Sequence, residues 1–463
     1  MRLIFVHGWS VVNTNTYAQL PQALSGAASQ YGLDIDIQHI YLGRYISFHD
    51  EVTVDDIARA MDRALRDLPD NSETTIKPFS CITHSTGGPV VRHWVDRYYG
   101  KDRLSELPLR HLVMLAPANH GSTLAHLGKA RVGRIKAWFA GVEPGQRVLE
   151  WLSLGSDEQW SLNENYLDYD YSEANFYPFV LTGQGIDHMF YDFLNSYLVE
   201  SGSDGVIRVA GASMNYRHIS LKQNCEDVVR KKPLTYALKE DGPVRVSPRV
   251  PLGVYKGYSH SGPRMGIMGS IKANDGNAPI VQDILKCISV GNADEYTTRT
   301  EQLDAMSEQQ QQGGDRYCML VFNIHDDQGE RIKQDDYDLF ILAGKKYQPQ
   351  GLPKGFFKDR QMNAQAGRLV YYLDADKMNE IKGGRLGIRV VARPVSGFSY
   401  YRAAEFRTDN LSLSDVINGN ETIYIDIELH RFVDENVFRF DPASGGPINF
   451  KKIKPAGKVL NDG

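Results

Sequence analysis

Ser85 stands in the run Phe79-Ser80-Cys81-Ile82-Thr83-His84-Ser85-Thr86-Gly87-Gly88, where an apolar segment meets a turn of small residues and then a helical pattern. A hydroxyl is a weak nucleophile. It attacks an acyl carbon only when a neighbouring base takes its proton and nearby donors receive the oxyanion that forms. A serine on a tight strand-to-helix turn suits this chemistry, because the turn lifts Oγ above the carboxyl edge of a sheet. The positions two before and two after must then be small, since the backbone folds back on itself. Gly87 meets the second condition. Thr83 replaces the first glycine of the common G-x-S-x-G pattern, so the motif here is T-x-S-x-G. Serine between small residues is frequent by chance, and the strand-turn-helix context is what points to a nucleophile. His7-Gly8-Trp9 follows the first apolar run directly. An acyl-transfer site takes one N–H from the residue after the nucleophile and one from the loop after an early strand, which makes Thr86 and Trp9 the oxyanion-hole candidates.

These residues need a frame. Leu3 to Val6, Ile35 to Leu42, Phe79 to Thr83, His111 to Ala116 and Phe176 to Thr182 read as short strands. Helical patterns alternate with them: Ile57, Ala60, Met61, Ala64 and Leu65 recur at spacings of three and four within Val54 to Leu68, and Pro89 to Tyr99 follows the glycine turn. Strands alternating with helices predict a mostly parallel sheet and an α/β fold. Residues 133–173 hold Trp138, Trp151 and Trp160, an apolar insertion that either packs on the sheet or forms a lid-like wall over an acyl chain. Composition changes near residue 300. Gln309 to Gln312 with Gly313-Gly314 predict a linker over 301–316, which closes a catalytic domain at 1–300. Beyond it, Tyr317 to Ile324, Tyr337 to Leu342, Arg368 to Leu373, Arg385 to Ala392 and Thr422 to Leu429 are separated by Gly, Asn, Asp and Pro clusters, and predict an all-β, sandwich-like domain over 317–463.

The combination Val6-His7-Gly8-Trp9, His84-Ser85-Thr86-Gly87-Gly88 and Leu115-Ala116-Pro117-Ala118-Asn119-His120-Gly121-Ser122 resembles the lipases of the α/β-hydrolase class over roughly residues 1–290. The resemblance implies an α/β-hydrolase fold, a lipase or phospholipase A that cleaves fatty-acyl esters of a lipid or phospholipid substrate through an acyl-enzyme, and a triad in the chain order Ser, Asp or Glu, His. Ser203-Asp204-Gly205-Val206 resembles the turn that carries the acid in bacterial lipases, and makes Asp204 the favoured acid, with Asp187 its competitor. Gly257-Tyr258-Ser259-His260-Ser261-Gly262 resembles the terminal loop that carries the base, and favours His260 over His218. The long gap between Asp204 and His260 implies an insertion of about Asn215 to Val254. His84 is expected to point away from the reacting centre, and His120 to support the turn at Asn119-His120-Gly121. The extra β domain and the lack of a leader also resemble bacterial type VI secretion lipase effectors, which implies a toxin module with a cognate inhibitor or secretion partner. A non-catalytic hydrolase-fold binding protein is the further alternative.

Composition narrows the field. With 52 Lys+Arg against 57 Asp+Glu the net charge is -5 and no basic block is present, so nucleic acid is not an expected partner. Hydrophobic residues at 42% and aromatics at 10% fit an ordered protein. The four cysteines form no CxxC pair, so no metal, no cofactor and no disulfide framework is expected, and calcium beside the Asp204 turn is left open. Met1-Arg2 runs straight into an apolar strand and no apolar run spans a bilayer. The expectation is synthesis in the cytoplasm, a signal-peptide-independent route for any export, and at most peripheral contact with a membrane.

Overall fold

A computed structural model of the chain describes residues 1–7, 15–47, 49–126, 145–187, 202–225, 235–381, 383–394, 397–408 and 417–438. Six strands, β1 (Arg2–His7), β2 (Asp36–Tyr41), β3 (Phe79–His84), β4 (Leu109–Leu115), β5 (Tyr177–Gly183) and β9 (Leu252–Tyr255), form a parallel sheet in the order β2-β1-β3-β4-β5-β9. This is an α/β-hydrolase arrangement. Parallel strands are covered on both faces, and the sequence shows it: Ile4 and Val6 enter one core while Leu3 and Phe5 enter the other.

Helices cover the sheet: α1 (Leu20–Ala27), α2 (Val54–Arg66), α3 (Gly87–Tyr98), α4 (Gln146–Leu152), α5 (Asp157–Tyr166), α6 (Pro279–Ile288) and α7 (Ala293–Gln310). Helix α2 starts at a reciprocal cap, in which Thr53 Oγ1 accepts the Asp56 N–H and Asp56 accepts the Thr53 N–H. Such a cap satisfies two orphan donors and is worth about 1 kcal/mol. Trp94 of α3 donates its indole N–H to Asp62 of α2 at 3.2 Å, so the helix that follows Ser85 is anchored to its neighbour.

The second sheet has ten strands. Its path runs β11 (Tyr337–Ala343), β14 (Leu386–Ala392), β16 (Ala403–Arg407), β7 (Thr235–Glu240), β6 (Tyr216–Gln223), β17 (Thr422–Leu429), β10 (Tyr317–Asp326), β13 (Arg368–Asp374) and β12 (Phe357–Asn363), with β8 (Arg245–Val246) beside β6. A separate ribbon pairs β15 (Ser399–Tyr400) with β18 (Phe432–Val433). The large sheet folds over so that Leu339 and Ile341 share a core with Leu320, Leu373 and Ile425, and the Tyr371 hydroxyl reaches the Leu339 carbonyl at 3.2 Å. The β part is therefore sandwich-like, although made from one sheet. Strand β10 reads as an unbroken apolar run because both its faces are buried: Cys318, Leu320 and Phe322 point into this fold, whereas Tyr317, Met319 and Val321 join the core that also holds Val6 and Trp94.

Two expectations are corrected. Residues 301–310 are not linker but the second half of α7, capped by Asn292 and buried through Tyr296, Thr300, Leu303 and Ser307, one face at spacings of three and four. That face was hidden because half of it is polar: Ser307 Oγ donates to the Leu252 carbonyl and accepts the Val254 N–H, which satisfies both groups inside the core. The boundary near 300 also fails, since β6, β7 and β8 lie in the second sheet, with β6 parallel to β17 and β7 parallel to β16. Strands β6, β7 and β8 of the insertion before His260 are thus built into the β part, while its end, in β9, belongs to the parallel sheet.

Of the segment 133–173, residues 133–144 lie outside the described residues. The rest takes the packing alternative rather than the lid. Trp151, Leu152, Leu154 and Trp160 are buried, and Trp160 packs edge-on against Tyr424 of β17 at 5.0 Å. Helices α4 and α5 fill the layer between the two sheets.

Candidate active site

Ser85 has φ 54°, a left-handed backbone at a non-glycine residue between β3 and α3. A conformation this costly persists only where the surroundings over-determine it. Here they do: the Ser85 N–H donates to the Leu115 carbonyl of β4 at 3.0 Å, and the Ser85 carbonyl accepts the N–H groups of Gly88 and Ala118, each at 3.3 Å. The departure from the usual motif also has a local explanation. A Cβ on Gly87 would sit 3.3 Å from the Thr83 Cβ, so with threonine at 83 a side chain at 87 fits only if its neighbour shifts by a few tenths of an ångström. A Cβ on Gly88 would lie 2.9 Å from the Pro117 ring, which accounts for the second glycine.

The chain brings three of the candidate residues together. His260 Nε2 lies 3.0 Å from Ser85 Oγ, and His260 Nδ1 lies 2.8 Å from Asp204 Oδ2. A carboxylate only accepts, so Nδ1 carries the proton and Nε2 is left as the acceptor for the serine hydroxyl. Asp204 Oδ1 accepts the N–H groups of Val206 at 2.9 Å and Ile207 at 2.7 Å, a turn that aims Oδ2 at the imidazole. Gly205 takes φ 94° within that turn, where a side chain would be strained. The Asp204 carbonyl also accepts the His260 N–H at 2.9 Å. Asp204 is 0% exposed and His260 1%, so their bond is shielded from water.

The loop that carries His260 leaves β9 and returns across the end of β5, and glycine makes that crossing possible. A Cβ on Gly183 would stand 2.1 Å from the Tyr258 carbonyl oxygen. Ser85, Asp204 and His260 thus meet at the carboxyl edge of the parallel sheet, where ligands of such sheets bind.

No protein-family model and no curated protein matches the chain. Two solved structures of phospholipase PlaB from Legionella pneumophila match over 100% of both chains, one in complex with thio-NAD at 42% identity and TM-score 0.86, the other at 43% identity and TM-score 0.84. The chain belongs to the PlaB family.

The remaining candidates are placed as follows in this PlaB-family chain. Thr86 begins α3 as its N-cap residue, directly after Ser85. Trp9 lies outside the described residues. His218 sits on β6 in the second sheet, against Trp160 with ring centroids 5.3 Å apart, away from Ser85. Asp187 is buried, but the acid on His260 Nδ1 is Asp204. His120 supports more than its own turn: its ring meets the Tyr424 hydroxyl at 2.7 Å and the Ser213 carbonyl at 2.8 Å, and burial holds its pKa down at about 3.

One expectation about the site is overturned. His84 does not point away from the centre; its Nε2 donates to the His260 carbonyl at 3.0 Å, and its ring lies 4.7 Å from the His260 ring. Sequence reasoning also passed over Arg92 of α3, which is buried with no carboxylate partner among the described residues. Its guanidinium donates to Asn119 and to the Asn163 side chain and lies over the Tyr166 ring at 4.5 Å. Its only signal was a charged residue on the otherwise apolar inward face of the helix.

Proposed function

We propose that the protein is a serine-dependent phospholipase that cleaves fatty-acyl esters through a covalent acyl-enzyme. The observation that carries this reading is the chain of hydrogen bonds from Ser85 Oγ through the His260 imidazole to the Asp204 carboxylate, on a serine held in a left-handed turn. The similarity to phospholipase PlaB supports the substrate class.

In this reading Ser85 Oγ attacks the ester carbonyl carbon as His260 Nε2 takes its proton. The carbonyl oxygen becomes an oxyanion, received by the Thr86 N–H and, as the sequence suggests, that of Trp9. Asp204 holds the tautomer and steadies the imidazolium without itself taking the proton. His260 passes the proton to the departing alcohol oxygen of the lysolipid. Water then attacks the acyl-enzyme by the same route, releasing the fatty acid and restoring Ser85.

The test is hydrolysis of mixed phosphatidylcholine and phosphatidylglycerol vesicles by purified protein, with products identified by mass spectrometry. We expect free fatty acid and lysophospholipid, and a loss on the order of a millionfold for Ser85→Ala with the fold intact. Hydrolysis that survives Ser85→Ala overturns the nucleophile; release of a phosphorylated headgroup instead of fatty acid overturns the bond. The effector reading has no comparable support, since the similarity is to PlaB.

A further inference from the structure

We propose that His84 is a positioning residue for the base, gripping the His260 backbone so that its imidazole stays aligned between Asp204 and Ser85. The inference rests on the reading of Ser85 as nucleophile. Two consecutive residues reach the same histidine: Ser85 meets the His260 side chain at 3.0 Å and His84 meets the His260 carbonyl at 3.0 Å. On the other side of the same residue, the His260 N–H donates to the Asp204 carbonyl at 2.9 Å. Both peptide groups flanking the His260 Cα are therefore tied, one to the acid's residue and one to the nucleophile's neighbour. The loop runs between Gly257 and Gly262, the latter at φ 110°. Further backbone bonds hold it beside His260, from the Gly185 N–H to the Tyr258 carbonyl at 2.7 Å and from the Ser259 N–H to the Met265 carbonyl at 2.8 Å.

The chemistry of the bond fixes His84 itself. A carbonyl only accepts, so His84 carries its proton on Nε2. Burial, with His260 as the second cause, holds its pKa down at about 3. The ring therefore stays neutral at working pH and sets no fixed positive charge beside the imidazolium that forms on His260 during turnover.

Gln and Asn at position 84 separate positioning from bulk. The Gln amide nitrogen reaches about where the imidazole Nε2 lies, whereas the Asn amide nitrogen falls short of it. We expect His84→Gln to keep kcat on vesicle hydrolysis within about threefold and His84→Asn to lose about 100-fold in kcat with KM little changed, the cost of a misplaced base. The low-field proton of the His260 Nδ1–H to Asp204 bond should persist in the proton NMR spectrum of the Gln variant and broaden away in the Asn variant, with equal melting temperatures. Equal losses in both variants, or full activity in the Asn variant, overturn the proposal. Failure of both to fold overturns it as well, because it assigns His84 to stability. A parallel Ser85→Ala sample keeps the two readings apart: if it stays active the nucleophile is wrong, and if it is inactive while Gln and Asn do not differ, only the role of His84 falls.

Discussion

At the scale of single residues, the acid is defined by the division of labour between its two oxygens. Asp204 Oδ1 is committed to the Val206 and Ile207 N–H groups, which leaves Oδ2 for His260. Asn at this position would keep its carbonyl oxygen on those N–H groups and turn its amide toward Nδ1. Two donors would then face each other, and the imidazole would shift its proton to Nε2, where it no longer accepts from serine. Asp204→Asn is expected to lower kcat by about 10⁴ with melting temperature nearly unchanged. A loss below tenfold in steady-state kinetics would mean that Asp204 does not set the tautomer.

At the scale of elements, the approach of the His260 loop to β5 is a steric matter with a sharp control. Gly183→Ala places a methyl 2.1 Å from the Tyr258 carbonyl, so backbone must move. We expect a loss of about 1–3 kcal/mol in stability and a larger fall in kcat than that loss alone would cause. Gly257→Ala, two residues past the end of β9 and open around its added methyl, should stay within about 0.5 kcal/mol and remain active. Denaturant melts and kcat for the pair decide it; equal behaviour refutes the steric account.

A second element-level prediction concerns β10 and β17. His325 Nε2 lies 3.1 Å from Asp426 Oδ2 and its Nδ1 lies 2.9 Å from the Asp326 carbonyl, so both nitrogens face acceptors and the ring is an imidazolium. The hydrogen bond to Asp426 raises its pKa to about 9 against the opposing effect of burial. Burial opposes the charge on Asp426 too, yet hydrogen bonds from His325 and Asn323 outweigh it and hold that carboxyl below the usual range. A histidine raised from an unfolded value of about 6.5 contributes stability fully below that pH and loses it as pH climbs through about 9. Wild type should therefore exceed His325→Gln by on the order of 1–3 kcal/mol at pH 6, with the gap closing by about pH 9.5. A gap that does not change with pH in thermal melts would rule this out.

At the scale of the whole molecule, the two sheets are one folding problem. Chain segments interleave, because β6 and β7 precede His260 in sequence yet pair with β17 and β16, and β8 pairs with β6. A shared core joins Val6 and Trp94 to Tyr317, Met319 and Tyr424. Arg368 of β13 pairs with Asp157 of α5, Arg208 beside the acid's turn pairs with Asp359 of β12, and the Tyr424 hydroxyl meets both His120 and Asn163. Cutting after residue 316 would leave β6 without β17 and expose the apolar side of α4 and α5. We expect the 1–316 fragment to be unfolded and its Ser85 not to label with a fluorophosphonate probe, and the full chain to melt in one calorimetric transition. A soluble fragment that labels would show the halves to be separable.

Some of this was written locally and could be read without the fold. Ser85 follows from a turn whose sterics act within five residues, Thr83 to Gly87, and the parallel sheet follows from apolar runs alternating with helical spacings. Asp204 and His260 were legible as short turns but not as partners, since Asp187 and His218 fitted the same order. Only the return of the β9 loop across Gly183, and the departure of β6 into the other sheet, chose between them. The domain boundary was misread for the same reason. Strand pairing between residues some two hundred positions apart leaves no local signal, and α7 buries a face whose polar members look like surface until their partners on β9 are seen. Local sterics determined the turn at Ser85; long-range pairing decided which histidine and which carboxylate meet it, and brought His84 to the His260 carbonyl.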